Sequence, residues 1–245
     1  MAPTVGDLSD PYGYFMRNPR PGGDRVCPRC FGFKRTTYNL CRPCSGQPAY
    51  CDAIVPITYS LNRGQMHLAL RDYKDGQTNE TRRKFTLDLA AVLWRFLDDH
   101  ERCVAAKAGV GSFDVVTIVP PGKAIPDRPR VLLREIVGRI CVPTASRYRE
   151  TLVRTTVPAS DHQYTEGRFD ATETLAGDSV LLIDDTWTTG ASVQDAARAL
   201  KQAGASAVGH VALGRHVGDA YEDHNEIFDG LPKPFDWNIC AVHNS

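Results

Sequence analysis

Apolar residues along the chain fall into short blocks separated by charged or turn-forming stretches, and the spacing inside each block predicts an element. Ile54–Tyr59 reads as a strand, and Gln65–Tyr73 as a short helix ending near Lys74-Asp75-Gly76. In Asn79–Val104, Phe85, Leu89, Leu93, Phe96 and Leu97 share one face at the i, i+4 step, which predicts an amphipathic helix. Asp114–Pro120 is a nearly unbroken apolar run, the pattern of a strand buried on both faces. Arg130–Ile140 predicts a helix with Leu133, Ile136, Val137 and Ile140 inward. Thr151–Thr156 is strand-like, and a polar stretch follows from Pro158 to Asp170. Strand Ser179–Ile183, helix Ala191–Ala203 and strand Ala207–Leu213 complete the alternation, with Gly204 where a helix C-cap glycine is expected. Buried strands alternating with helices predict an α/β fold, a mostly parallel sheet with helices on both faces.

The flanks lack this period. Residues 1–24 contain Pro3, Pro11, Pro19 and Pro21 and read as a flexible arm. Residues 25–50 form a separate small unit, 51–216 the α/β domain, and 217–245 an acidic tail. The tail's run from Asp219 to Asp229 reads as a solvated face. With 245 residues, 42% of them hydrophobic, the chain is neither disordered nor collagenous and can bury one sizeable core. No apolar run approaches the roughly 20 residues of a membrane span, and Val180–Ile183 has only the length of a strand. The start, Met1-Ala-Pro-Thr-Val-Gly-Asp, has neither a basic head nor an apolar stretch. No membrane partner and a cytoplasmic location are therefore expected.

The formal net charge of +0 hides a split: residues 1–157 carry 24 basic against 15 acidic side chains, and residues 158–245 carry 5 against 14. Such a dipole suits an anionic ligand on the basic part, or two halves that pair across one domain. Nothing in the pattern sets an oligomeric state.

Among 8 cysteines, four are patterned: Cys27-Pro-Arg-Cys30, ten residues, then Cys41-Arg-Pro-Cys44. Two Cys-x-x-Cys knuckles bring four thiolates to one point, which suits structural Zn²⁺ with no open position. The intervening Phe31–Leu40 is long enough for a short hairpin, Gly32 and Asn39 being turn-prone. So small a unit has too little apolar surface to fold alone, so the metal would supply its folding energy. A redox dithiol pair or two disulfides are the other readings of the spacing. Cys51, Cys103, Cys141 and Cys240 show no partner pattern and read as small core residues.

The chemistry concentrates in Val180-Leu-Leu-Ile-Asp184-Asp185-Thr-Trp-Thr188-Thr189-Gly190-Ala191-Ser192. An apolar strand ends in two carboxylates, turns through a hydroxyl-rich loop with one glycine, and enters a helix. Ligands of open α/β sheets bind beyond the carboxyl ends of strands. The loop's N–H groups and the helix N-terminus form an anion cradle, to which Thr188, Thr189 and Ser192 add hydroxyl donors. Asp184 and Asp185 beside it could accept hydrogen bonds from vicinal hydroxyls. Phosphate plus diol describes a ribose 5-phosphate. Helix capping by the same hydroxyls is the structural alternative.

This segment resembles the phosphoribosyl pyrophosphate (PRPP) signature of type I phosphoribosyltransferases. Joined to the cysteine quartet, it resembles the competence protein F (ComF) family, which is associated with DNA uptake. The resemblance runs from Cys27 to about Arg215. It implies that Asp184 and Asp185 hold the ribose hydroxyls at the catalytic centre, and that Thr188, Thr189, Gly190, Ala191 and Ser192 hold the 5′-phosphate. It further implies Mg²⁺ with PRPP, and pyrophosphate contacts from Lys123, Arg154 and Arg168. Leu70–Gly76 echoes the family's Lys-containing segment before its first long helix. Residues 125–134 lack the family's Arg-Gly-aromatic-Asn-Gln stretch, and Thr186-Trp187 is unusual for the signature, so no acceptor is implied. The implied activity is phosphoribosyl transfer to a nitrogen acceptor with release of pyrophosphate. A non-catalytic PRPP-responsive protein is the alternative on the same fold. A second alternative is single-stranded nucleic acid on residues 17–46, where Arg17, Arg20, Arg25, Arg29, Lys34, Arg35 and Arg42 interleave with Phe31, Phe33 and Tyr38.

Overall fold

The computed structural model describes residues 2–20, 22–120, 128–158, 163–218 and 224–242. Helix α1 (Val5–Ser9) runs into a 3-10 turn (Asp10–Tyr14), and the cysteine segment contains one helical turn, α2 (Arg42–Ser45). Strand β1 (Ala53–Leu61), helices α3 (Gln65–Asp75) and α4 (Asn79–Lys107) and strand β2 (Val115–Ile118) follow. Helix α5 (Arg128–Glu135) continues as a π turn (Ile136–Ile140), then come α6 (Val142–Ala145), β3 (Leu152–Arg154) and β4 (Phe169–Ala171). The chain closes with β5 (Ser179–Trp187), α7 (Ala191–Gln202), β6 (Ala207–Val217) and α8 (His224–Asp229).

The expected architecture is present. Four strands pair in the order β1-β6-β5-β2, all parallel, while β3 and β4 form a separate antiparallel pair. Pro56, which lacks an N–H for the ladder, lies in β1 at the sheet's edge. At the opposite edge, Val116 exchanges backbone hydrogen bonds with Arg147 and Arg149. One face of the sheet packs Val55, Ile57, Ile183 and Leu213 against α3 and α4. The other packs Ile54, Leu182 and Val208 against α7 and the cysteine quartet. Leu89, Leu93, Phe96 and Leu97 of α4 are buried as the period predicts. Each such side chain contributes about 1.5–3 kcal/mol on burial, whereas ordinary helix propensities differ by at most about 0.7 kcal/mol per residue. Packing therefore decides where this helix lies.

Four expectations need correction. The first residues are no flexible arm: Thr4 and Asp7 form a capping box on α1, and Tyr12 and Met16 are buried in the core. Their aromatic and Met side chains repay ordering that the Pro and Gly content alone would not support. The C-terminal segment is not simply a solvated tail. Helix α8 buries nothing, but Leu231, Phe235, Cys240 and Ala241 are buried. This segment lies on the N-terminal one, with the Phe235 N–H donating to the Gly13 carbonyl at 2.9 Å and Asn18 bonded to the Asp236 and Ile239 carbonyls. Residues 31–40 do not form a hairpin. A tight knuckle spans Cys27–Phe33 instead, the Phe31 N–H donating to the Cys27 carbonyl at 2.9 Å and Val26 bridging Phe33. Finally, β5 does not end at Ile183 but continues to Trp187, since β6 pairs with it as far as Arg215.

Candidate functional site

Because β5 continues past Ile183, Asp184 and Asp185 lie within a strand, whose side chains alternate between the two faces of the sheet. Both are buried, at 5% and 2% exposure. Asp185 belongs to the α3 face. One of its carboxylate oxygens accepts from the Tyr73 hydroxyl and pairs with Lys74 Nζ at 2.6 Å. Asp184 turns one oxygen to the Asp185 N–H at 3.0 Å. The carboxylate pair thus already includes a cation, Lys74, from the Leu70–Gly76 segment.

Beyond Trp187 the chain bends through Thr188 and Thr189 to Gly190, which caps α7 in the left-handed region at φ +85°. No side chain caps the helix, and the Thr189 hydroxyl makes only a 3.4 Å contact with the Ala191 N–H. The structural alternative, in which these hydroxyls cap the helix, is therefore not what the geometry shows. Its first-turn N–H groups lack partners within the helix, and the macrodipole adds partial positive charge there. Trp187 is the floor of the loop. It is 1% exposed, and a Cβ at Gly190 would lie 2.1 Å from its ring. Glycine is required here twice over, by backbone angle and by space. Beneath Trp187 lies His210, fully buried, with neither ring nitrogen hydrogen-bonded; burial pushes its pKa down to about 3.

The cysteine quartet abuts this loop. The Sγ atoms of Cys27, Cys30, Cys41 and Cys44 lie within 4.8 Å of one another, all buried and none in a disulfide. Cys30 and Cys41 are 3.6 Å apart, close to the roughly 3.8 Å between thiolates on tetrahedral zinc at about 2.3 Å Zn–S. The donor set and its spacing fit zinc.

Three side chains tie the quartet to the loop. Arg215, at the end of β6, donates through one terminal nitrogen to the carbonyls of Trp187, Thr188 and His216, at 3.1, 3.0 and 2.7 Å. Its other terminal nitrogen reaches Cys30 Sγ at 3.5 Å. Burial opposes its charge, but the Cys30, Cys41 and Cys44 sulfurs outweigh that and raise its pKa. Gly32 is the space Arg215 needs, since a Cβ there would lie 2.1 Å from the guanidinium. Gln47 donates to the Thr189 carbonyl at 2.7 Å, and Gln194 of α7 accepts from the Tyr50 and Cys51 N–H groups. None of these roles was visible in the sequence. Arg215 and Gln194 occupy positions that an apolar period assigns to the interior, and no motif marks Gln47.

Between quartet and loop lies a cavity of about 980 Å³ at the carboxyl ends of β5 and β6. Lys34, Arg35, Arg42, Thr188, Thr189 and Arg215 are in its wall, and no carboxylate is among the described residues that line it. The expected nucleic-acid surface is reduced. Phe31 and Phe33 are core residues, leaving Tyr38, 60% exposed, as the stacking group. Arg17 is buried against the Met16 carbonyl, and Arg29 bonds the Cys44 and Gln47 carbonyls. Arg154 ends β3 opposite Phe169 of β4, beside α7, and Arg168, the residue before β4, is 4% exposed and feels the charge of Arg154. Burial, then the charge of Arg154, lowers its pKa. Lys123 lies outside the described residues.

Residues 127–242 match the family model of the phosphoribosyl transferase domain. The match spans β5, the loop, α7 and the C-terminal segment. No curated protein matches the chain.

Proposed function

We propose that the protein binds PRPP and transfers its phosphoribosyl group to a nitrogen acceptor, releasing pyrophosphate. The observation that carries this reading is the uncapped loop Thr188–Ser192 set beside the buried carboxylates Asp184 and Asp185, within a stretch that matches the phosphoribosyl transferase domain. The 5′-phosphate would take the N–H groups of Gly190, Ala191 and Ser192 and the hydroxyls of Thr188 and Thr189. Asp184 and Asp185 would accept from the ribose hydroxyls, with Lys74 released from Asp185 toward the pyrophosphate. Arg154 and Arg168, two cations held close together, suit a doubly anionic leaving group. Bound Mg²⁺, a hard cation that suits the carboxylate oxygens of Asp184 and Asp185, would neutralise charge on the pyrophosphate. The protein's own contribution is positioning and charge stabilisation as the bond at ribose C1 lengthens, with no side chain needed as a covalent nucleophile. The cation-lined cavity beside the loop supports entry of an anionic ligand from that side. The four cysteines would hold zinc as a structural clip beneath the loop.

Calorimetric titration with PRPP and Mg²⁺ tests the site. Wild-type protein is expected to bind, and the Asp184→Ala, Asp185→Ala double variant to lose binding; an unchanged isotherm in the folded variant rejects the assignment. Pyrophosphate release across a panel of amines and bases tests turnover, and silence with every acceptor supports the non-catalytic PRPP-responsive alternative. Steeply salt-dependent binding of single-stranded oligonucleotides, abolished by Arg35→Ala with Arg42→Ala, would favour the nucleic-acid alternative instead.

A further inference from the structure

A second cluster of soft ligands lies away from the proposed PRPP site. The His100 Nδ1 or Nε2, Cys103 Sγ and Cys240 Sγ atoms that define it lie within 4.8 Å of one another. His100 and Cys103 are one turn apart on α4, while Cys240 comes from the C-terminal segment that packs there. His100 and Cys240 are buried, and Cys103 is partly exposed.

The histidine is already oriented as a metal ligand would be. Its Nε2 lies 2.8 Å from the Trp237 carbonyl oxygen. A carbonyl can only accept, so Nε2 carries a hydrogen, which leaves Nδ1 as the ring atom for a metal. That nitrogen lies 3.9 Å from Cys103 Sγ. A carbonyl holding one ring nitrogen while the other faces the ligand point is the usual support of a metal-binding histidine, because it fixes both ring tautomer and ring direction. Zinc at about 2.0–2.1 Å from nitrogen and about 2.3 Å from sulfur needs ligand separations near 3.5–3.8 Å. A contraction of a few tenths of an ångström brings His100 and Cys103 there.

We propose that His100, Cys103 and Cys240 form a second zinc site that staples the C-terminal segment to α4. Two thiols and one imidazole are a borderline-soft set that selects zinc over Mg²⁺ or Ca²⁺. Binding releases the two thiol protons to solvent and leaves the fourth coordination position to water on the partly exposed Cys103 side. Cys103 and Cys240 are thus more than small core residues: His100-x-x-Cys103 is a knuckle on its own. In the sequence Cys240-x-x-His243 mirrors it, though His243 lies outside the described residues and the proposal rests on the other three. The quartet is a separate site, so the two are separable by experiment.

The test is metal content by mass spectrometry of the full-length protein purified without chelator. Cys103→Ser with Cys240→Ser, and His100→Gln alone, are expected each to lose about one zinc equivalent relative to wild type, while Cys27→Ser with Cys30→Ser loses a different one. Far-UV circular dichroism checks that the variants are folded. Cobalt substitution gives a readout independent of folding yield, since the thiolate-to-cobalt band of the quartet variant should survive and that of the Cys103/Cys240 variant should weaken. An unchanged metal content in the Cys103/Cys240 variant overturns the second site while leaving the quartet intact. A wild-type mass and thiol titration showing a Cys103–Cys240 disulfide in place of metal overturns it equally.

Discussion

Arg215 is the side chain on which the quartet and the loop depend together, and replacing it with methionine tests that dependence. The guanidinium makes three hydrogen bonds, to the buried Trp187 carbonyl and the partly buried Thr188 and His216 carbonyls, and a fourth contact to Cys30 Sγ. A hydrogen bond from a charged donor is worth about 1.5–3 kcal/mol net, and the sum is offset by the cost of burying the charge and the unpaired Nε. Removing one member of a buried charged network typically costs about 3–5 kcal/mol, because the partners left behind stay desolvated. Methionine preserves the aliphatic volume, so a cavity adds little, and Arg215→Met is expected to lose about 3–5 kcal/mol. For a chain of this size each kcal/mol moves Tm by about 2–4 °C, which places the variant roughly 6–20 °C below wild type.

The same substitution has an electrostatic consequence. Zinc with four thiolates carries a net charge of about −2, and Arg215 is the buried cation that offsets half of it. Arg215→Met is therefore expected to release zinc to a chelator faster than wild type and also to weaken PRPP binding, although Arg215 belongs to neither proposed ligand set. Thermal unfolding, zinc release to a colorimetric chelator, and calorimetry on one preparation read out all three. A variant that melts within two degrees of wild type would refute the network, as would one that loses stability but keeps zinc release and PRPP affinity unchanged.

Three other outcomes follow from the same geometry. Gly190→Ala must place a side chain at φ +85° against the Trp187 ring; the left-handed backbone costs about 1–2 kcal/mol and the overpacking about 1–3 kcal/mol. A urea midpoint unchanged from wild type would show that the loop does not rest on Trp187. His210 has a folded pKa near 3 against an ordinary 6.5. As pH falls below 6.5 the unfolded chain takes a proton that the folded protein refuses, so stability declines by up to about 1.4 kcal/mol per pH unit. His210→Leu should flatten that slope by about 2 kcal/mol between pH 6.5 and pH 5, and parallel slopes would assign the acid sensitivity to other groups. Lys74→Ala leaves Asp185 buried beside Tyr73 without its cation. PRPP affinity is expected to fall at least tenfold, and unchanged affinity would remove Lys74 from the pyrophosphate role.

What the sequence made legible divides by physical cause. The parallel sheet and α4 were readable because buried strands and amphipathic helices impose a period, and Leu89, Leu93, Phe96 and Leu97 obey it. The quartet and the strand–loop–helix of β5 and α7 were readable because a four-cysteine cluster and a strand that turns through a glycine loop into a helix each use particular residue types at fixed spacing. The ordered N-terminal segment was not: the Tyr12 hydroxyl bonds Asp88, and Gly13 and Asn18 bond the segment around Phe235 and Asp236, and proline-rich local composition says nothing of such contacts. Arg215 was invisible for a related reason. Its acceptors are backbone carbonyls, which every residue supplies, so no pattern of side chains announces them. His100, Cys103 and Cys240 were legible in principle, since half of their arrangement is a single-turn spacing, but Cys240 joins them only through the fold.

The split in charge between the two parts of the chain now has a structural account on one side. The basic part supplies Lys34, Arg35 and Arg42 to the cavity wall and the acidic part supplies Thr188 and Thr189, while Asp184 and Asp185 are buried earlier in β5 and are not among its described lining residues. An anion approaching this wall meets Lys34, Arg35 and Arg42. Those cations favour an anionic ligand over a neutral sugar, which would gain nothing from Arg35 and Arg42. Raising the salt concentration should therefore slow PRPP association far more than it speeds dissociation. Stopped-flow measurements that instead showed salt acting mainly on dissociation would mean that the cationic wall touches the bound ligand directly rather than steering its approach.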